Sequence, residues 1–186
     1  LPSSQPAQYR RQANMAAMAE SPKDLVEHID QPQSSCLNFN DEHVLENCLR
    51  PEYREEADKF LQSDCDAELL VTIRLRMDCK INDIVIKGPA DRGPSSCKVF
   101  VNVLDGFDFA SAAELKPDAS FELSADKTNY AIFGTPAYVK FQAVSSITLF
   151  FPENHEDGDE TVVDKLAVSG WPVEFKSGED GQTAAQ

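Results

Sequence analysis

An all-β chain, folded as an antiparallel β-sandwich or jelly roll with one short helix near its N-terminus, is predicted by three features of the 186-residue sequence. Leu69, Val71, Ile73 and Leu75 alternate with Leu70, Thr72, Arg74 and Arg76, the period of a strand with one buried face. Further β-rich runs follow at residues 84–86, 99–103, 121–123, 138–142, 147–151 and 165–168. Turn signals separate them, among them Asn82-Asp83, Gly88-Pro89, Arg92-Gly93-Pro94, Asp105-Gly106 and Gly134-Thr135-Pro136. Roughly eight short strands at this spacing, with no amphipathic helices of about 10 to 15 residues between them, argue against a doubly wound α/β sheet.

In chain order, residues 1–21 are rich in Pro, Ser, Gln and Ala and read as a linker or arm. Their alanines, with Met15 and Met18, allow residues 12–20 to become helical against a partner. The folded domain is expected over residues 22–174 and a polar tail over 175–186. Ser21 as N-cap, Pro22 at the first helical position and Asp24 at the third predict a helix start. Leu25, Val26 and Ile29 then share one apolar face, and the helix closes before Pro32. From there the pattern turns to period two and stays there.

Charge narrows the function classes. Seventeen basic against 32 acidic residues give −15. By segment, residues 1–23 carry +3 and −1 and residues 174–186 carry +1 and −3, so residues 24–173 carry 13 minus 28, again −15. The acidity belongs to the folded domain. Such a surface repels phosphate and anionic lipid, so neither a nucleic-acid nor a membrane-surface partner is expected. No apolar run approaches the ~18 residues of a membrane-spanning helix. The first residues lack a secretory n-region and h-region, and the missing initiator Met is expected to mean a chain cut from a longer polypeptide or from a tag. Cys36, Cys48, Cys65, Cys79 and Cys97, widely spaced and odd in number, are expected to be reduced thiols of the cytosol or nucleus.

Few constellations carry chemistry. A Cys/His/Asp arrangement would draw on Cys36 or Cys48, His43 and Asp41, but a buried structural cysteine is the commoner reading. A calcium loop starting at Glu153 puts Gly158 at its sixth position, yet His155 and Asp164 occupy positions where ligands are decisive, so a solvated hairpin turn is expected. Asp64, Asp66 and Glu68 at spacing two read as a capped strand start more readily than as a cation site. Glycine-rich phosphate loops are absent, and no aromatic residues interleave with basic ones. No cofactor, metal or catalytic residue is expected, and a binding module is favoured over an enzyme.

Longer motifs say more. Cys36-Leu37-Asn38, Asp41-Glu42-His43, Asn47-Cys48-Leu49-Arg50 and the run Phe60-Leu61-Gln62-Ser63-Asp64-Cys65-Asp66-Ala67-Glu68-Leu69-Leu70 resemble the PITH domain. Lys87-Gly88-Pro89, Lys98-Val99-Phe100-Val101-Asn102, Asp108-Phe109, the run from Tyr138 to Phe150, and Gly170 with Pro172-Val173 follow in that family's order. The similarity covers residues 24–173. It implies a galactose-binding-like jelly roll and a non-catalytic module that docks a thioredoxin-like protein onto the regulatory particle of the 26S proteasome, in cytoplasm and nucleus. The pair Cys36 and Cys48 resembles the thioredoxin-fused form. No W-C-x-x-C site occurs, so a thioredoxin domain would lie upstream of Leu1.

The charged stretch 51–59 and Met77-Asp78-Cys79 depart from the family pattern, which bears on the partner more than on the fold. The docking segments expected are residues 63–68, with Ser63, Asp64, Asp66 and Glu68, and residues 138–142, with Lys140 and Gln142. Two alternatives stand beside this. One is docking into another large assembly, cytoskeletal or ciliary, with the arm ordering on the partner; the other is a redox role for Cys36, Cys48 and Cys65.

Overall fold

The computed structural model describes residues 21–54 and 56–173; the predicted arm and tail lie outside the described residues apart from Ser21. The strands are β1 (Lys23–Asp24), β2 (Ser35–Leu37), β3 (Leu61–Gln62), β4 (Leu69–Lys87), β5 (Ser96–Val101), β6 (Ala119–Glu122), β7 (Asn129–Ala131), β8 (Val144–Phe151), β9 (Val162–Val163) and β10 (Lys165–Pro172). Two short helices, α1 (Leu45–Leu49) and α2 (Phe109–Glu114), lie between them. All described pairings are antiparallel, in the order β1-β10-β4-β8-β5-β6, with β2 and β7 also on β4 and a separate β3–β9 pair.

The alternation starting at Leu69 does not stop at Arg76 but continues through a 19-residue strand. The first half of β4 pairs β8 and β2, and after a register shift between Arg74 and Cys79 the second half pairs β10 and β7. The strand curls the sheet on itself, so residues from both halves enter one core. Leu69, Val71 and Ile73 meet Ile81, Ile84 and Ile86 there, with Ile147, Leu149, Leu166 and Val168. Each such side chain contributes ~1.5 to 3 kcal/mol of burial. Leu70 points the other way and joins Phe100, Phe150 and Ala112 in a smaller cluster roofed by α2. That helix starts at Asp108, whose carboxylate accepts the Ser111 N–H at 2.9 Å and is held below its ordinary value by that bond.

Three expectations are corrected. Asn82-Asp83 is no turn: Asp83 sits buried in mid-strand, accepting the Ser169 hydroxyl at 2.7 Å. The predicted helix after Ser21 is replaced by β1 and by single 3-10 turns at Val26–His28 and Gln31–Gln33. The backbone finds better partners in the sheet, with Lys23 opposite Gly170 and the Leu25 N–H on the Val168 carbonyl at 2.9 Å, whereas so short an isolated helix is marginal. Leu25 and Ile29 are buried as expected; Val26 is only half-buried. Residues 138–142, expected as a strand, fall largely within the 3-10 helix Pro136–Phe141, whose φ Pro136 presets and whose Phe141 fills the core.

Gly170 marks the bulge in β10, where a Cβ would come within 1.9 Å of the Lys80 carbonyl oxygen. Only a glycine lets the two backbones approach so closely.

Candidate functional site

Two asparagines, Asn38 and Asn102, tie together motif residues from distant parts of the chain, and a third, Asn154, closes a local loop. Asn38 takes a left-handed backbone conformation, φ 63°, which asparagine tolerates better than most residues. Its side-chain oxygen accepts the Cys65 N–H at 3.0 Å. Its amide donates to the Glu68 carbonyl at 2.7 Å and the Asp66 carboxylate at 2.8 Å. Asn102, φ 54°, accepts from the Ser145 N–H at 2.8 Å and donates to the Ala143 carbonyl at 3.0 Å. Asn154, buried, binds the Gly158 and Glu160 carbonyls at 2.9 Å each and accepts the Gly158 N–H at 2.9 Å. The centre of the supposed calcium loop is therefore filled by a side-chain amide.

Those ties place the predicted site residues. Ser63 is buried, and its hydroxyl accepts the Thr161 N–H at 2.8 Å while Thr161 donates to the Ala67 carbonyl at 2.7 Å. Asp66 accepts from Asn38 and from the Glu68 N–H at 3.0 Å, the capped strand start foreseen. Asp64 is exposed, Glu68 half-buried. Lys140 is exposed and pairs with Asp118 at 2.5 Å, while Gln142 donates back to the Tyr138 carbonyl at 2.9 Å. The two segments thus supply both internal supports (Ser63, Asp66, Gln142) and outward charges (Asp64, Lys140).

The thiols are free, with Cys36 and Cys48 buried and Cys65 exposed. Burial pushes the Cys36 thiol up to about 12. Cys48 is raised further, by burial first and then by the neighbouring Cys36. Hydrogen bonding to the Asp64 carboxylate, with its charge, raises Cys65. All these directions disfavour the thiolate that redox chemistry requires. The His43 ring stacks on Phe60 with centroids 3.9 Å apart, and its Nδ1 is buried without a hydrogen-bond partner, so no relay to Asp41 forms. Among the described residues no group of three His, Cys, Asp or Glu could hold a metal ion.

The open feature lies elsewhere. Beside β2, an apolar groove of about 660 Å³ runs between Pro32, Cys36 and Phe39 on one side and Val44, Leu45 and Leu49 of the α1 region on the other. Past Arg50, whose guanidinium pairs with Glu46, it continues into a second hollow, also about 660 Å³, rimmed by Glu27, Glu52 and Arg76. Nearby, the side chain of Arg54 bridges Asp24, at 2.5 Å, and the Leu49 carbonyl, at 2.9 Å. The sequence reading passed over this groove, although the Leu45/Leu49 spacing and the apolar Phe39 carried a signal.

A family model described as the PITH domain matches residues 16–184. A PITH domain-containing protein of Drosophila pseudoobscura pseudoobscura is 34% identical over 149 residues, 78% of this chain and 68% of that protein. PITH domain-containing protein 1 of Homo sapiens is 29% identical over 151 residues, 80% of this chain and 69% of that protein. Thioredoxin-like protein 1 of Schizosaccharomyces pombe is 28% identical over 149 residues, 78% of this chain and 50% of that protein, so the chain spans about half of that relative's length. Among solved structures, the family 32 CBM from C. perfringens NanJ, in complex with galactose, matches with TM-score 0.56 at 8% identity, covering 80% of this chain and 99% of that one. The striped-bass fucolectin matches with TM-score 0.58 at 11% identity, covering 82% and 50%. At such identities the likeness is one of fold, and it is the galactose-binding-like jelly roll predicted.

Proposed function

Because the chain belongs to the PITH domain family, we propose that it is a non-catalytic docking module that attaches a thioredoxin-like protein to the regulatory particle of the 26S proteasome. The observation that carries this reading is the family match, which runs across every described element from β1 to β10. The name and length of the fission-yeast relative support placing the module within a longer thioredoxin-like polypeptide; cytoplasm and nucleus are the compartments proposed for it. Raised thiols and the lack of a metal-ligating cluster among the described residues favour binding over catalysis.

The acidic domain supplies the means. Its charge of −15 favours a basic face on the partner, and Asp64 and Lys140 are exposed charged side chains of the motifs, Lys140 in an ion pair with Asp118. The test is retention of purified 26S proteasome on the immobilised chain. Retention at low salt that weakens as salt is raised is the expected result, since surface charges are screened within about 3 Å at ~1 M salt. No retention at low salt overturns the reading.

A further inference from the structure

We propose that the free edge of β2, with the groove beside it, receives an extended segment of a partner protein that carries apolar side chains at alternate positions between lysines or arginines. The register of the sheet shows where the main chain would bond. Arg74 donates its N–H to the Ser34 hydroxyl at 3.0 Å, and its carbonyl accepts the Asp30 N–H at 2.8 Å, both on the β2 side of β4. Backbone direction alternates along a strand, so Thr72 and Leu70 also face β2 and bond to Ser35 and Leu37, their register partners. Cys36, opposite Val71, is the residue between them, and its N–H and C=O turn away from β4. Among the described residues no strand pairs β2 on that side. An edge of this kind is a template for one more strand.

The surroundings select the occupant. Ser34, Ser35 and Cys36 line the groove of about 660 Å³, with Val44, Leu45 and Leu49 across it. That volume lies within the ~300 to 1,000 Å³ of clefts that hold ligands. A helix bonds its own backbone and would leave the Cys36 groups unpaired. An added strand meets them and sends every second side chain toward the apolar wall. Because β2 is three residues long, the seat is short, with two main-chain bonds at its centre. Charge sets the flanks. Residues 27–52, which supply every lining residue of the groove, hold Glu27, Asp30, Asp41, Glu42, Glu46 and Glu52 against Arg50, six acids to one base. Arg50 is itself paired with Glu46. Of the neighbouring arginines, Arg54 holds Asp24, Arg74 holds Asp105, and Arg76 lines the further hollow and not the groove. A second copy of this chain brings its own −15 and is repelled, so a basic segment of another protein is the occupant that fits.

The inference goes beyond proteasome docking, and its test uses no proteasome. A displayed library of random heptapeptides is panned on the immobilised full chain. Recovered peptides should alternate apolar residues, carry Lys or Arg toward their ends, and bind more weakly as salt is raised. Each is then N-methylated at alternate backbone positions, in one register and then in the other. Pairing with Cys36 predicts that one register lowers affinity roughly tenfold or more and that the other leaves it unchanged. Leu45→Glu should weaken binding by a similar factor; should that variant fail to fold, the N-methyl comparison decides, since it alters only the peptide. In the free chain the Cys36 amide should exchange with deuterium roughly tenfold faster than those of Ser35 and Leu37, and it should slow when peptide is bound. No enrichment, peptides without the alternation or the basic ends, equal loss in both N-methyl registers, or binding that maps away from residues 34–49 overturns the inference. So does a Cys36 amide already protected in the free chain, which would assign the edge to this chain itself or, where protection rises with concentration, to a second copy. Loss of proteasome retention beside intact peptide binding would overturn the docking reading alone.

Discussion

The asparagine-tied loops and the groove beside β2 both contain residues of the family motifs, yet they are built oppositely. Around Asn38 the side chain's donors and acceptor end on groups of the same domain, with Cys65, Asp66 and Glu68 gathered by one amide. Around Leu45 and Phe39 the floor is apolar and open. A motif can therefore be strong because it closes the fold. Perturbing the first region should cost much stability, and perturbing the second should cost little.

The largest expected effect comes from Asn38→Ala, which removes the ties to residues 65–68 and places alanine at φ 63°. Unfolding in urea should show a loss of about 2 to 4 kcal/mol, and Asn38→Gly, which tolerates the backbone, should recover about 1 kcal/mol of it. A loss under ~0.5 kcal/mol would remove the distinction between the two regions.

Next comes alkaline sensitivity near the groove. The Cys36 thiol is raised from its ordinary 9.0 to about 12, so above pH 9 the unfolded chain releases a proton that the folded chain keeps. Stability should be level below that point and fall as pH rises from 9 toward 12, by about 1.4 kcal/mol per pH unit for this thiol. Cys36→Ala should show a shallower alkaline decline by that amount, read from urea midpoints at pH 8 and 10.

Phe39→Ala trims a groove wall that is 36% exposed and should cost only about 1 kcal/mol, read from urea unfolding. Smallest is Lys140→Gln. Its ion pair with Asp118 leaves the lysine 62% exposed, so stability should change by no more than ~0.5 kcal/mol. A change in proteasome retention with stability intact would identify Lys140 as a contact.

The fold class was legible because alternation and turn signals are local, and β4, β5, β8 and β10 follow them. Errors came where pairing overrode local preference. Lys23 and Asp24 joined β10 in place of a helix, and Asp83 stayed inside a strand because Ser169 stood across from it to donate a hydrogen bond. The site was less legible. Residues 63–68 and 138–142 stand out as motifs, but which of their side chains turn inward was not legible: Ser63 bonds to Thr161 and Asp66 to Asn38, partners far away in sequence. Asparagines closing Cys36-Leu37-Asn38 and Val101-Asn102 were the available hint, since asparagine is enriched where the backbone turns left-handed. The groove stayed hidden because β2, α1 and Pro32 come together only when the sheet curls.

The most direct measurement takes unfolding free energy and affinity for purified 26S regulatory particle from the same samples of Asn38→Ala and Asp64→Lys. The account expects Asn38→Ala to lose stability and keep its affinity per folded molecule, and Asp64→Lys to keep stability and bind more weakly. An Asn38→Ala protein of undiminished stability that no longer binds would contradict it, because the tied motif would then be the contact itself.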